Sequence, residues 1–476
     1  MRKFAKLVLP LFALLALGYY GYTRYQNSSS LKGVVHQDAT SVIKIGIHDI
    51  KKTLILDALG APRYYYQNLD LGNRTGDDDG KKESIGKGVE FMPYNLLFFT
   101  MPKVEHTVFT VFKIYDFTEF EAYVHNKVTP KLDANGITAT QGYQSGVFKN
   151  GSIAIAWNDE KLALAVAPRI KNSGIADVFK ELLVDDKTIP STDHPLLKTI
   201  KNETAHAVYA ADGGVATLTF NDGNAFLKGK GSVDFPFAKE VTFPSYRNTS
   251  LSFHYGLNLR ANPIREALLA RRLGNLTFFE KYNLDASEIA KSLDGRLSFA
   301  ISGRTVQNDT IITYEYDDNF EKVARKTVQK RNVPAAYLHL GVQGQKLKSY
   351  LSEKGALSEN GIFEPFPLYQ TTLFEQSTGA VFSTVNDTIL PKGKTSSYFF
   401  NLQADFEKLQ KDLDISHTRE LFSILTNMRI QAWHVDEREI KLEGTLNAVD
   451  DDINILSQLF FGLRNNKIIE PKEAEL

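Results

Sequence analysis

Side chains able to do chemistry are plentiful in this chain, but their spacing assembles no catalytic set. There are ten histidines and no cysteine. No two histidines fall in an H-x-H, H-x-x-H or H-E-x-x-H arrangement, so a zinc site would need ligands scattered through the chain. Asp77, Asp78, Asp79 and Gly80 invite a calcium-loop reading with Gly80 as the glycine at the sharp turn. That register places Thr75 first and Gly86 last, where a bidentate glutamate is required, and the segment reads as a solvated loop. Asp450 to Asp452 is likewise a charge run on a solvated surface.

Phosphate, acyl and dinucleotide motifs fail in the same way. Gly393, Lys394 and Thr395 end like a phosphate loop, but Thr388 stands where its first glycine belongs, and the strand-like SSYFF follows in place of a helix. Around Gly142, Gln144, Ser145 and Gly146 the G-x-S-x-G elbow is not met, and Ser145 reads as part of a polar connection. Gly229 and Gly231 lack the rest of a dinucleotide fingerprint and suit a strand turn. Trp157 and Trp433 sit near strand ends, where core packing is favoured over anchoring a partner. Arg271 with Arg272, and Arg325, Lys326, Lys330 with Arg331, read as short basic patches on helices or their ends, facing solvent. The sequence therefore assigns no catalytic, cofactor-binding or metal-binding residue, and the expectation is a protein that is not an enzyme and holds no cofactor.

Composition narrows the partners. With 56 basic and 56 acidic residues the net charge is zero, which gives no field to gather nucleic acid. The 43% hydrophobic and 11% aromatic content is that of an ordered globular chain. Without cysteine, stability must come from core burial, which 476 residues can supply.

The first thirty residues address the chain to a membrane. Arg2, Lys3 and Lys6 precede an uncharged run from Leu7 to Tyr22, and Arg24 follows. Sixteen uncharged residues lie between the length of a signal-peptide core and that of a spanning helix. Tyr19, Tyr20 and Tyr22 resemble an interfacial aromatic belt, and Lys6 can extend the span by snorkelling, so a retained anchor through residues 7–22 is expected. The basic residues ahead of it keep the N-terminus in the cytoplasm. The expected location is a bacterial inner membrane, single-pass, with the C-terminal ectodomain in the periplasm; the alternative is a secreted or periplasmic protein cleaved near Gly18, after the small residues Ala16 and Gly18.

Past the anchor, a unit recurs in which a strand runs into a capped helix. Ser41 to Ile47 leads to a helix stopped by Gly60 and Pro62. His106 to Ile114 leads to Asp116, which with Glu119 has capping-box spacing, and then to an apolar stripe of Phe117, Phe120, Tyr123 and Val124. Leu251 to Leu259 leads to Pro263 and the stripe Leu268, Leu269, Leu273, closed by Gly274. Pro334 to Gly341 leads to Leu347, Tyr350 and Leu351, and Ser397 to Leu402 leads to Asp405, Phe406, Leu409 and Leu413. Phe120, Tyr123 and Val124 shifted by 227 positions (120 to 347, 123 to 350, 124 to 351) give Leu347, Tyr350 and Leu351. Two further pairs keep the order, Tyr94 to Phe99 with Gly295 to Ala300 and Ala216 to Phe235 with Met428 to Leu446, which points to an internal duplication.

The predicted organisation is a signal anchor and juxtamembrane segment (1–30), a first α+β half (31–246), a second (247–465) and a polar tail (466–476). Ile175, Val178, Phe179, Leu182 and Leu183 have the spacing of a helix covering a sheet, and Asn158-Asp159 marks a hairpin turn. The predicted class is α+β, with antiparallel sheets covered on one face by helices.

The stretch D-A-T-x-V-x-x-I at Asp38 to Ile45, the Asp-capped helices and the hairpin SIAIAWNDEKLALAV resemble an uncharacterised family of exported Bacteroidota envelope proteins, a domain of unknown function with two similar units. That resemblance implies two related α+β halves and assigns no activity. It departs from the family in having no lipoprotein cysteine. The expected function is a non-catalytic, membrane-anchored module for interaction or assembly with an envelope protein partner. The alternative is a carrier of lipid or another apolar ligand between the sheets of the two halves, which requires a continuous apolar cavity. A further alternative, a cryptic hydrolase, requires Ser or Asp to meet His in a cleft.

Overall fold

The computed structural model describes residues 17–68, 88–170, 174–232, 237–259, 263–316, 322–342, 347–366, 368–376, 379–386 and 391–466. The chain is α+β and divides into two compact units, Met1–Thr219 and Phe220–Leu476. The second unit begins ahead of residue 247, because the strand Asn224–Ser232 pairs along its whole length with Glu439–Ala448. A helix (α1) covers residues 17–29. Among the described residues no helix is long and apolar enough to cross a membrane, and residues 1–16, where most of the expected span falls, lie outside them.

In the first unit, β1 (Ser41–Ile45) is followed by α2 (Ile47–Gly60) and α3 (Pro62–Asn68). Next come β2 (Leu96–Met101), β3 (Val104–Lys113) and α4 (Phe117–Tyr123), then β4 (Thr138–Thr140), β5 (Tyr143–Val147), β6 (Ile153–Trp157) and β7 (Lys161–Val166). The helices α5 (Ile175–Leu183) and α6 (Pro195–Asn202) precede β8 (Ala207–Ala211) and β9 (Gly214–Phe220). The strands form an antiparallel sheet in the order β9-β8-β1-β2-β3-β7-β6-β5-β4.

Local chemistry sets these elements as the sequence predicts. The Asp116 carboxylate accepts the Glu119 amide at 2.9 Å and starts α4. The side chain of Asn158 accepts the Glu160 and Lys161 amides at 3.0 and 2.7 Å and closes the β6–β7 hairpin. The α5 stripe Ile175, Val178, Phe179, Leu182 and Leu183 is buried. Helices cover both faces of this sheet, not the one face expected. Ala163 and Ala165 of β7 pack in the core under α5 and α6, while Leu162, alternating with them, packs with Phe120 and Val124 at α4.

In the second unit, β10 (Asn224–Ser232), β11 (Val241–Pro244) and β12 (Leu251–Gly256) lead to α7 (Pro263–Gly274), α8 (Thr277–Lys281) and α9 (Ala286–Ser292). The long strands β13 (Leu293–Tyr316) and β14 (Lys322–Val342) follow, then α10 (Leu347–Glu353), β15 (Thr372–Gln376), β16 (Gly379–Ser383) and β17 (Gly393–Ser396). The unit ends with β18 (Tyr398–Asp405), α11 (Phe406–Leu413), α12 (Arg419–Ile424), β19 (Leu425–His434), β20 (Glu439–Ala448) and α13 (Ile455–Asn466). Its antiparallel sheet runs β10-β20-β19-β18-β12-β13-β14-β16-β15, and β11 pairs with β17 apart from it.

One run of pairings recurs in both units: β9-β8-β1-β2-β3-β7-β6 in the first and β19-β18-β12-β13-β14-β16-β15 in the second. The helix after the fifth strand of that run is α4 in one and α10 in the other. The sequence pairs fall on α4 with the residue after it and on α10, on β2 and β13 with the residues around them, and on strands β9 and β10 against β19 and β20, with residues 233–235 outside the described residues.

Candidate ligand cavity

The sheet of the second unit presents a regular apolar face. Phe253, Phe299, Leu338 and Phe382 stand opposite one another on β12, β13, β14 and β16, and the next row is Tyr255, Leu297, Leu340 and Ala380. Around this face stand α7, α8, α9, α10 and the segment 363–371. They close onto it only in part, where Phe279, Leu347 and Leu351 pack in one cluster with Leu340, Ala380 and Phe382. Between them lies a cavity of about 1130 Å³, lined almost wholly by apolar side chains.

Hydrogen bonds around Glu375, Asp285 and Gln307 hold the walls. The α10 amide of Lys348 is capped from β15 by Glu375 at 2.9 Å, so a distant carboxylate starts this helix. The Tyr350 hydroxyl on α10 accepts the Asp285 amide at 2.7 Å, and Asp285 in turn caps α9 through Ser287 and Glu288. Gln307, 5% exposed, donates to the Gln370 and Thr384 carbonyls at 2.6 and 2.8 Å and accepts the Gln370 amide, which fixes the loop bearing Phe366 and Tyr369. Among the described lining residues only two carry charge, Arg272 and Arg296. Arg296 is paired with Asp294 at 2.6 and 2.9 Å; Arg272 is exposed in the last turn of α7 and has no partner among the described residues.

The corresponding face of the first unit is filled. Phe112, Phe120, Leu132 and Trp157 are all buried there, and Phe120 meets Trp157 edge to face at 6.1 Å.

Behind the cavity, the opposite face of the second sheet carries an unusual polar row: Asn401, His254, Ser298 and His339, all buried. Phe243 of β11 stacks on His254 at 3.8 Å, and the His254 ring meets the Tyr398 carbonyl at 3.2 Å. Burial pushes the His254 imidazole down to about 4, although the Tyr398 carbonyl favours its proton. His339 is also lowered to about 4, by burial first and then by the nearby Arg296 charge. Neither of its ring nitrogens has a hydrogen-bond partner among the described residues. Tyr246 stacks on Tyr337 at 4.0 Å, and burial raises its phenol well above the usual range.

The first unit has a different buried polar group. Lys44 in β1 is 1% exposed, and its Nζ donates to the Ile200 and Glu203 carbonyls at 2.8 and 2.6 Å, completing the end of α6. Burial lowers its pKa, opposed by Asp49 and Glu203. Thr53 and His206 are 2.8 Å apart, a hydroxyl–imidazole pair, but neither lines the cavity. Lys44, His254 and His339 form no sequence motif, because each sits among apolar strand neighbours with no second chemical group at a recognisable spacing. The two-residue period was the available signal, since it puts Lys44 on the inward side with Val42.

The motifs raised from sequence fall as follows. Asp77 to Gly80 lie outside the described residues, and Asp450 to Asp452 are exposed. Gly393 to Thr395 belong to β17, paired with β11. Ser145 is within β5 opposite Ala156, not in a connection, and Gly229 and Gly231 are within β10 opposite Leu442 and Ile440, not in a turn. Trp157 is core; Trp433 is half-buried against Tyr398 at 5.8 Å. Arg325, Lys326, Lys330 and Arg331 lie on β14 and not on a helix, because Val323, Thr327, Val328 and Val333 supply a β-branched run that pairs residue by residue with β13. Among the described residues no group of His, Cys, Asp and Glu could hold a metal ion.

No family model, curated protein or solved structure significantly matches this chain. Fold and cavity define it as a two-unit α+β protein with an open apolar chamber in its second unit.

Proposed function

We propose that the protein is a non-catalytic, membrane-anchored envelope protein whose second unit holds an elongated apolar ligand, as a carrier or binder of lipid-like molecules. The observation that carries this reading is the cavity. At about 1130 Å³ it exceeds the roughly 300–1,000 Å³ typical of sites for compact small molecules. An empty chamber of that size lined by Leu and Phe would forfeit dispersion contacts that an apolar chain restores. The periplasmic location, the anchor at residues 7–22 and the resemblance to exported Bacteroidota envelope proteins belong to the same proposal. So does descent of the two units from one duplicated ancestor, which the shared pairing order and the three aligned sequence pairs support. Purification of the full-length chain from membranes, with mass spectrometry of bound molecules, tests it: a defined chain-bearing ligand is expected at near one per protein, and a protein that repeatedly emerges without one removes the proposal.

One observation favours a second reading, an assembly module. From Arg304 to Tyr316 and Lys322 to Pro334, β13 and β14 pair with no other strand among the described residues, a ribbon of about 40 Å at roughly 3.3 Å per residue. Such a two-stranded ribbon is marginal alone in water and leaves two edges open to another chain. Deleting residues 309–326 should abolish co-purification of a protein partner from membranes; a partner retained at full stoichiometry would rule the ribbon out.

A further inference from the structure

The charge at the rim narrows the ligand class. Leu268 and Phe366 line the cavity and are 52% and 42% exposed, which marks where it opens. Arg272 follows Leu268 by one helical turn on the same side of α7 and also lines the cavity. Basic residues are common in the last turn of a helix, where they complement the backbone dipole, and Arg271 meets that need equally. What separates the two is position, since Arg271 does not line the cavity. The other lining cation, Arg296, is already neutralised by Asp294. Among the described residues, the chamber thus has apolar walls and one positive charge at its mouth without a partner.

We infer that the ligand is an anionic amphiphile, with its hydrocarbon chain in the cavity and a carboxylate or phosphate head on the Arg272 guanidinium. This rests on the apolar-ligand reading above. The arginine stem can lie along the apolar lip while its planar fork offers two parallel N–H donors to the head. A neutral head leaves those donors to water, and a cationic head meets repulsion. Because the rim is wet, the gain is at the low end for a charge-assisted hydrogen bond, about tenfold in affinity.

The test uses the full-length chain stripped of bound lipid and held in amphipol. Displacement of a fluorescent apolar probe is measured with oleate, 1-oleoyl-lysophosphatidic acid, oleyl alcohol and oleyl trimethylammonium, at mildly alkaline pH. The expected order is either anion about tenfold ahead of the alcohol, with the ammonium weakest; the tighter anion assigns the head as carboxylate or phosphate. Arg272→Gln should bring the anions down to the alcohol and leave the alcohol unchanged, Arg272→Lys should keep most of the preference, and Arg271→Gln should keep all of it. Equal binding of all four heads, or an anion preference that survives Arg272→Gln, overturns the headgroup inference while the cavity reading stands. If none of the four displaces the probe, the cavity reading itself fails.

Discussion

Phe120 and Trp157 meet edge to face, 6.1 Å between ring centroids, at the place in the first unit that corresponds to open cavity in the second. Leu347 takes the sequence position of Phe120 in the second unit and packs in its cluster, yet about 1130 Å³ remains unfilled beside it. The same order of strands therefore supports a packed core in one unit and a chamber in the other.

That contrast makes truncations unequal. Trp157→Ala should cost the first unit about 3–5 kcal/mol, since it deletes a buried aromatic from a filled core. Leu338→Ala, whose side chain already faces open space, should cost the second unit under about 1.5 kcal/mol. Urea unfolding of each variant checks both, read as two transitions if the units unfold separately.

Adding bulk should reverse the usual penalty. Ala336 lines the cavity opposite Ile301, and Ala336→Trp should fold with little loss of stability while excluding ligand. In a packed core the same change would cost about 1–3 kcal/mol or more. Thermal melting together with the dye-displacement assay distinguishes these outcomes.

Acid should weaken the second unit through His254 and His339. Both are lowered from 6.5 to about 4 in the folded protein. Between those values the unfolded chain binds more protons than the folded one, so stability falls as pH drops from 6.5 to 4 and is untouched by these groups above that window. Each contributes on the order of 3 kcal/mol at the acid end. Denaturant midpoints followed across that range should show the slope, and His339→Leu should remove about half of it; an unchanged slope would refute the assignment.

Helix caps should be separable from the cavity. Asp116→Ala and Asp405→Ala each remove the side-chain acceptor of a helix start, at α4 and α11, and should cost about 1 kcal/mol. Neither residue lines the cavity, so affinity for an apolar probe should be unchanged in titrations at temperatures where both variants are folded.

What the sequence determined by itself is local. The Asp116 and Asp405 caps, the Asn158 turn and the α5 stripe were legible because each joins residues a few positions apart, and backbone sterics act at that range. The recurring strand–helix order and its three aligned pairs were legible as well. Only tertiary structure decided the rest. The basic stretch from Arg325 to Arg331 became strand because β13 supplies a partner along its whole length, and a helix had no such competitor in view. Lys44 became a helix cap because α6 ends above it, more than 150 positions later. The chamber arises from residues between Tyr255 and Leu413 on nine elements, and an apolar stripe reads the same whether the faces around it meet or stand apart. Hydrophobic pattern fixes which side chains leave water; the depth of space between them is set by register, strand length and loop anchors such as Gln307 with Gln370, which act across the fold.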